Sequence, residues 1–312
     1  MRILVTGVSG FIGGRLVPRL LRDGHELRGF ARDPARVAPA LGIPLVVGDA
    51  VTGTGLTEAL AGIDVAYFLI HSMEPVAGDS AAARDFRARE RAAAERFAAT
   101  ARAAGVQRIV YLGGIVPHDA PASAHLASRL AVERILLEAL PDSSALRASI
   151  VIGAGSRSFR FLVRLIERLP LVALPGWRDN RTQPVDERDV IDALARAASA
   201  PAAAAGRSLD VAGPDVVTYG ELVERIRDAM LVRRPLVRLR VSGPAPVTSA
   251  VAAAVAGERP ELIGPLMAGL GSDLLPRADA SVELLGVRLH TLDAAIEHAL
   301  RAWERVEPLA AK

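Results

Sequence analysis

The sequence lacks several residue types and patterns on which whole classes of protein depend. It contains no cysteine, so it forms no disulfide bond, has no thiolate nucleophile and holds no cysteine-ligated metal. No window approaches the roughly 18 uninterrupted apolar residues typical of a membrane-spanning helix, and we expect no integral membrane segment. The start also lacks a signal-peptide pattern, because only three apolar residues separate Arg2 from Thr6. We therefore expect a cytoplasmic protein.

Lysine is nearly absent, since every basic residue except Lys312 is an arginine. The net charge is only +3, and the arginines are dispersed along helix faces beside aspartate and glutamate. This pattern is typical of solvated helix surfaces, so we expect no nucleic-acid partner. The six histidines show no metal-ligand spacing, and no G-x-S-x-G nucleophile turn occurs, so we expect neither a metal site nor a serine hydrolase.

The most informative stretch lies at the start of the chain. Residues 3–5 are an apolar run typical of a buried strand, and the glycine-rich segment 6–13 follows before helical periodicity begins. Gly7 permits a tight turn, Gly10 lets backbone N–H groups approach a diphosphate, and Gly13 lets the helix lie close to the sheet. The pattern predicts a dinucleotide site, although a purely structural strand–turn–helix has the same outline. The predicted cofactor contacts here are Gly7, Ser9, Gly10, Phe11, Ile12 and Gly13.

The turn after the second strand bears on cofactor choice. Proteins that prefer NAD place an acidic residue at this point to bind the ribose 2′-hydroxyl, whereas arginine suits a 2′-phosphate. Arg32 occupies this turn, with Arg36 and Arg15 as candidate helpers. We therefore expect NADP(H) more than NAD(H), although Asp33 keeps the NAD(H) alternative open.

Apolar strand patterns alternate with helical ones through residue 152, with the sixth strand expected over 144–152. This alternation predicts an α/β fold with a doubly wound parallel sheet. The cofactor is expected to pass the carboxyl end of the fourth strand, at Leu69, Ile70 and His71. His71 alternatively serves as a hydrogen-bonding residue at the strand end. We expect a nucleotide-binding domain over 1–215 (with 153–185 contributing to a substrate opening) and a small, mainly helical lobe over 216–312.

Several motifs together resemble the atypical short-chain dehydrogenase/reductase (SDR) group, which borders the NmrA-like sensors and the NADPH-holding accessory subunit of respiratory complex I. They are T-G-x-x-G-x-x-G at 6–13, YFLIHS at 67–72, LRASIVIG at 146–153 and QPV at 183–185. The resemblance covers about residues 1–215 and implies a Rossmann fold. It also implies that Asp49 contacts the adenine, that Ala148 and Ile150 lie near the nicotinamide, and that Gln183 and Pro184 lie near the substrate opening.

The usual SDR catalytic residues are missing. Those enzymes use a tyrosine four residues before a lysine on one helix, together with a serine at the end of the fifth strand. The matching positions carry His125 and Arg129, and the serine position falls at Gly113 or Gly114. His125 is then either a substitute proton donor beside a ribose-binding Arg129 or a polar partner of Arg129 without acid–base work; a solvated helix face is the remaining alternative.

Two functions remain open. The first is an NADPH-dependent reductase that acts on a small apolar carbonyl or quinone-like substrate, with a pocket expected to include Trp177. The second is a non-catalytic NADP(H) binder that serves as a redox sensor or assembly factor. The expected partner is a small-molecule substrate, and a homo-oligomer is compatible with the sequence.

Overall fold

The computed structural model of the protein describes residues 1–70, 86–117, 124–168, 172–174, 176–201, 204–232, 236–238, 270–277 and 282–307. The strands, in chain order, are β1 (Arg2–Thr6), β2 (Glu26–Ala31), β3 (Leu45–Val47), β4 (Val65–Phe68), β5 (Arg108–Gly114), β6 (Ser144–Ala148), β7 (Val151–Ile152), β8 (Val172–Leu174), β9 (Arg181–Thr182), β10 (Val185–Asp186), β11 (Ser208–Val211), β12 (Val217–Thr218) and β13 (Leu236–Arg238). The α-helices are α1 (Phe11–Arg22), α2 (Leu56–Leu60), α3 (Phe86–Ala103), α4 (Ala124–Ala139), α5 (Arg157–Arg168), α6 (Glu187–Ala197), α7 (Tyr219–Ala229) and α8 (Leu292–Glu304).

Seven parallel strands form one sheet in the order β11-β6-β5-β4-β1-β2-β3. Successive side chains of β1 point to opposite faces, and each face has its own core. Ile3 and Val5 pack with the buried sides of α1 and α6, whereas Leu4 packs with α2, α3 and α4. Helices therefore cover both faces, which confirms the predicted doubly wound Rossmann architecture.

A further hydrophobic core, separate from the two that flank the sheet, lies beside it. It is formed by the inner faces of α5, α7 and α8, with Trp303 fully buried at its centre. Thr218 begins α7 with a capping box, in which its hydroxyl accepts the Glu221 N–H and the Glu221 carboxylate accepts the Thr218 N–H. A threonine followed three residues later by a glutamate is the sequence pattern that predicts such a cap. Among the helices that the structure describes, none combines the length and the apolar character required to cross a membrane.

The expectation of one continuous sixth strand over 144–152 is wrong. Strand β6 ends at Ala148, and the chain then leaves the sheet so that Val151 pairs with Val185 in a separate two-stranded ladder. Backbone hydrogen bonds mark the change of partner: the Ser149 N–H donates to Val211, and Ile150 accepts from Val185. Apolar residues stand on both sides of the break, at 145–146 and 150–152, so only the non-local pairing reveals the division.

Two further expectations need comment. The Ala/Arg/Glu-rich sequence from Asp79 to Ala104 predicts a long helix; the structure has a helix over Phe86–Ala103, and residues 79–85 lie outside the described part of the chain. Trp177 is not among the residues that line the cavity described below; it packs edge-on against Tyr219, with ring centroids 6.1 Å apart, at the border of the core formed by α5, α7 and α8. An aromatic ring is stabilised by burying its apolar surface, and this core offers more apolar surface than a polar loop does.

Candidate functional site

The glycine turn between β1 and α1 is dictated by close backbone contacts. Gly7 has a φ of +67°, and a Cβ there would lie 2.7 Å from the Leu69 carbonyl oxygen. A Cβ on Gly13 would lie only 2.3 Å from the carbonyl oxygen of Gly7. Distances below 3 Å from rigid backbone exclude any larger residue, so these two glycines are required by the fold itself.

The start of α1 faces the turn without a side-chain cap. Gly10 is the N-cap residue and provides no side-chain acceptor, and the first turn of the helix contains no acidic residue. The first N–H groups of a helix have no partner within it, and the helix dipole adds positive potential there. Phosphate groups bind well at such ends. The turn and helix start therefore fit the diphosphate of a dinucleotide.

Threonine ties this turn to the neighbouring strand. The Thr6 hydroxyl donates to the Tyr67 carbonyl at 2.9 Å and accepts the Leu69 N–H at 3.0 Å. The side chain is fully buried, so these bonds form without competition from water. They hold the end of β4 beside the glycine turn, where Leu69 and Ile70 follow.

One cavity of about 550 Å³ runs along the carboxyl edge of the sheet. Most of the residues predicted to bind the cofactor line it, namely Gly7, Ser9, Gly10, Phe11, Ile12, Gly13, Arg32, Asp49, Leu69 and Ile70. Arg129, which occupies the position of the usual SDR lysine, lines the same cavity. Contact of these residues with a cofactor stays a prediction, but the fold does bring them together around one space.

Two predicted residues do not line the cavity, and the structure does not describe a third. Ala148 and Ile150 are not among the residues that line the cavity, where Val151 from the separate β7 lies instead. Ala148 is buried at the end of β6, between Gly114 and Val211. His71 lies outside the described residues.

The end of the cavity after β2 is basic. Arg32 and Arg36 both line it and are exposed to solvent. Asp33, the residue that favoured NAD(H), instead caps the short 3-10 helix 34–36 by accepting the Ala35 N–H at 3.0 Å. Arg15 is not among the lining residues: its guanidinium pairs with Glu187 at 3.1 Å and lies 4.6 Å from the Phe11 ring centroid.

The opposite end of the cavity is built around Arg129. Its guanidinium donates a hydrogen bond to the Leu112 carbonyl and lies 5.5 Å from the ring centroid of Tyr111. The Tyr111 hydroxyl in turn donates to the Arg129 carbonyl at 3.3 Å. These contacts hold Arg129 at the carboxyl end of β5. His125 lies in α4 four residues earlier, but its side chain is outside the described residues, so its role stays a prediction.

The three tyrosines are committed elsewhere. Burial raises the pKa of Tyr67 well above its usual range, and its hydroxyl donates to the Leu194 carbonyl at 2.7 Å. Burial also raises the pKa of Tyr111 to about 12 and that of Tyr219 to about 12. Groups with such pKa values give up protons poorly near neutrality. The tyrosines therefore do not replace the missing catalytic one.

Sequence reasoning missed several lining residues. The start of α5 contributes Ser156, Arg157 and Ser158, and α3 contributes Arg89. The preceding glycine loop packs on Phe11, since a Cβ on Gly155 would lie 2.4 Å from the ring. A glycine-containing turn after an apolar run was the available signal for the α5 start, whereas nothing local distinguishes Arg89 from the other arginines of its helix. Among the described residues, no group of three or more potential ligands is arranged to hold a metal ion.

Comparison with known proteins agrees with this geometry. Residues 7–150 match a family model described as NAD(P)H-binding. The chain is 35% identical over 114 residues to 3-beta-hydroxysteroid dehydrogenase of Mycolicibacterium neoaurum, covering 35% of this chain and 31% of that protein. It is 26% identical over 259 residues to NADH dehydrogenase [ubiquinone] 1 alpha subcomplex subunit 9 of Arabidopsis thaliana, covering 80% of this chain and 62% of that subunit. The chain thus spans less than two thirds of either relative.

A 2-alkyl-3-oxoalkanoate reductase of Stenotrophomonas maltophilia is 27% identical over 256 residues, covering 74% of this chain and 76% of that enzyme. Among solved structures, UDP-glucuronic acid 4-epimerase from Bacillus cereus, in complex with UDP-glucuronic acid and NAD, superposes with a TM-score of 0.73 at 15% identity, covering 98% of this chain and all of that one. At this identity the likeness shows the fold alone. The chain therefore contains an NAD(P)-binding domain with a Rossmann-like fold, and it has homologues among SDR oxidoreductases and the related complex I subunits.

Proposed function

We propose that the protein is an NADPH-dependent reductase of a small apolar carbonyl or quinone-like compound, with a proton donor other than tyrosine. The observation that carries the proposal is a cavity with the glycine turn in its wall and Arg129 at the carboxyl end of β5. A cofactor held at the turn would extend along this edge, as ligands do in open parallel sheets. The named activities of the steroid dehydrogenase and the oxoalkanoate reductase support redox chemistry on largely apolar substrates.

The preference for NADP(H) rests on the two arginines after β2. Guanidinium groups bind phosphate through paired hydrogen bonds, and both Arg32 and Arg36 reach the cavity. The competing acid, Asp33, already accepts a hydrogen bond from its own turn. A 2′-phosphate is therefore the better match for this end.

The nicotinamide would supply hydride, and the chain must bind and orient the substrate and deliver a proton. His125 is our candidate donor because it precedes Arg129 by four residues in α4, a spacing that puts both on one helix face. A cation close to an imidazole disfavours its protonated form and so makes it a readier donor. A quinone would need such help least, because its reduced oxyanion is more stable than an alkoxide.

The test is NADPH oxidation by the purified protein with a panel of apolar ketones, enones and quinones. We expect turnover above background with at least one class, and His125→Gln should lower kcat without weakening NADPH binding. If no class gives turnover while NADPH still binds, the reductase proposal fails. Unchanged turnover in His125→Gln would eliminate His125 alone.

A second function is favoured by one specific observation, the absence of the Tyr-Lys pair. The protein would then bind NADP(H) without catalysis, as a redox sensor or as an assembly factor. The likeness to a named subunit of NADH dehydrogenase supports this alternative. A sensor should bind NADP⁺ and NADPH with clearly different affinities, and an assembly factor should co-purify with a stoichiometric protein partner.

A further inference from the structure

The charge along the cavity is strongly one-sided. Among the residues that the structure describes, the ionisable ones that line it are one acid, Asp49, and five arginines: Arg32, Arg36, Arg89, Arg129 and Arg157. A dinucleotide phosphate can be neutralised by a helix start and two arginines. The net positive charge of these residues is close in size to the negative charge of the NADP(H) phosphates, so the position of each arginine, and not the total charge, decides what it can bind.

The arginines form two groups separated by the width of several strands. Arg32 and Arg36 follow β2, whereas Arg129 lies at the end of β5 and Arg157 begins α5. Three strand-to-strand steps separate β2 from β5 in the sheet order, which corresponds to roughly 14 Å. A 2′-phosphate held by Arg32 and Arg36 would therefore lie several strands away from the end of β5.

A buried hydrogen bond links the two helices that carry Arg89 and Arg129. The Ser128 hydroxyl donates to the Glu90 carboxylate at 2.7 Å, and both side chains are buried. This bond joins α3 to α4 through the immediate neighbours of Arg89 and Arg129, which both line the cavity. Arg89 is half-buried and makes no hydrogen bond or ion pair with any residue that the structure describes. Burying part of a cation that has no partner raises the free energy of the folded protein unless an anion neutralises the charge.

We propose that Arg89, Arg129 and Arg157 form a subsite for an anionic group of the substrate, most simply a carboxylate. Ile70, Leu112 and Val151 are apolar residues that line the same cavity and would hold the rest of the molecule. Asp49, the one acid among the described lining residues, follows β3 at the far end and does not oppose an anion here. That the anion belongs to a substrate rests on the proposed function. The substrate class is then an apolar oxo acid and not a neutral ketone.

The experiment compares decanoate with decanol, which share a chain but differ in charge. Each is titrated calorimetrically into the protein saturated with NADP⁺. We expect decanoate to bind at least about tenfold more tightly, because hydrogen bonds to charged groups are the strong ones. Arg89→Gln should weaken decanoate by about tenfold, leave decanol unchanged and leave NADP⁺ within about twofold. Arg89→Lys should retain part of the effect.

Arg87→Gln is the matched control, because Arg87 is an exposed arginine on the same helix that does not line the cavity. Equal binding of decanoate and decanol, or no effect of Arg89→Gln, would overturn the subsite. A loss of NADP⁺ affinity in Arg89→Gln with decanoate unaffected would also overturn it and assign the cations to the cofactor. If NADP⁺ fails to bind the native protein, the proposed function fails instead, and the same titrations without cofactor test the subsite separately.

Discussion

A Cβ atom on Gly13 would lie 2.3 Å from the carbonyl oxygen of Gly7, so the first turn of α1 packs directly on the backbone of the glycine turn. The adjacent Gly14 is different, because a Cβ there would lie 3.5 Å from the Val8 carbonyl oxygen, an ordinary contact. Two neighbouring glycines of one helix therefore have opposite tolerance for a methyl group.

Gly13→Ala should displace the helix from the turn. We expect a loss of at least about 2 kcal/mol in the free energy of unfolding, because the obstructing atoms are rigid backbone, together with a loss of NADPH binding. Chemical denaturation and fluorescence titration measure the two effects. The control, Gly14→Ala, should gain about 0.5–1 kcal/mol, since glycine is a poor helix residue. Equal behaviour of the two variants would contradict the geometry.

Arg32→Gln should separate the two nicotinamide cofactors. Losing charge-assisted hydrogen bonds to a 2′-phosphate costs about 1.5–3 kcal/mol, so NADPH affinity should fall about tenfold or more. NADH affinity should change little, because NADH lacks this phosphate. Arg22→Gln, at an exposed arginine outside the cavity, controls for the change in net charge. A parallel loss for both cofactors would show that Arg32 does not recognise the 2′-phosphate.

The buried tyrosines predict a stability loss at high pH. Burial raises the pKa of Tyr111 and of Tyr219 from 10.0 to about 12. Below pH 10 the folded and unfolded states both keep these protons, so stability is unaffected. Between pH 10 and 12 only the unfolded state loses them, and unfolding becomes easier by roughly 3 kcal/mol for each tyrosine.

Tyrosinate absorbance measures this directly. The folded protein should show no tyrosine ionisation with a midpoint near pH 10, and the signal should appear together with unfolding. A midpoint near 10 in protein that retains its far-UV circular dichroism would contradict the predicted burial.

The ion pair between Arg147 and Glu133 lies inside the fold, with a shorter contact of 2.6 Å and side chains 11% and 5% exposed. Arg147→Met leaves a buried carboxylate without its cation and should cost about 3–5 kcal/mol. Adding Glu133→Leu should recover most of that loss, because the uncompensated charge is removed. Denaturation of both variants measures the difference. Arg91→Met, which breaks an exposed pair with Glu95, should change stability by at most about 1 kcal/mol.

Local sequence was sufficient wherever local sterics and periodicity decide the structure. The run before Thr6, the glycine turn and α1 follow from short-range rules, as does the cap formed by Thr218 and Glu221. Alternation of strand and helix patterns predicted the doubly wound sheet, because parallel strands need crossover helices. The absence of lysine before residue 312 excluded the Tyr-Lys mechanism with no structure at all.

Tertiary structure decided which separate segments meet. The sequence over 144–152 predicts one strand, yet its division after Ala148 depends on the pairing of Val151 with Val185, far along the chain. Nothing in the sequence distinguishes Arg89 from the other arginines of α3. In the folded chain, the hydrogen bond between Glu90 and Ser128 joins α3 to α4 at the cavity wall. Pairing partners and the approach of distant helices depend on contacts that one-dimensional patterns do not encode. The glycine motif could therefore be read from the sequence, whereas the second group of arginines emerged only from the folded chain.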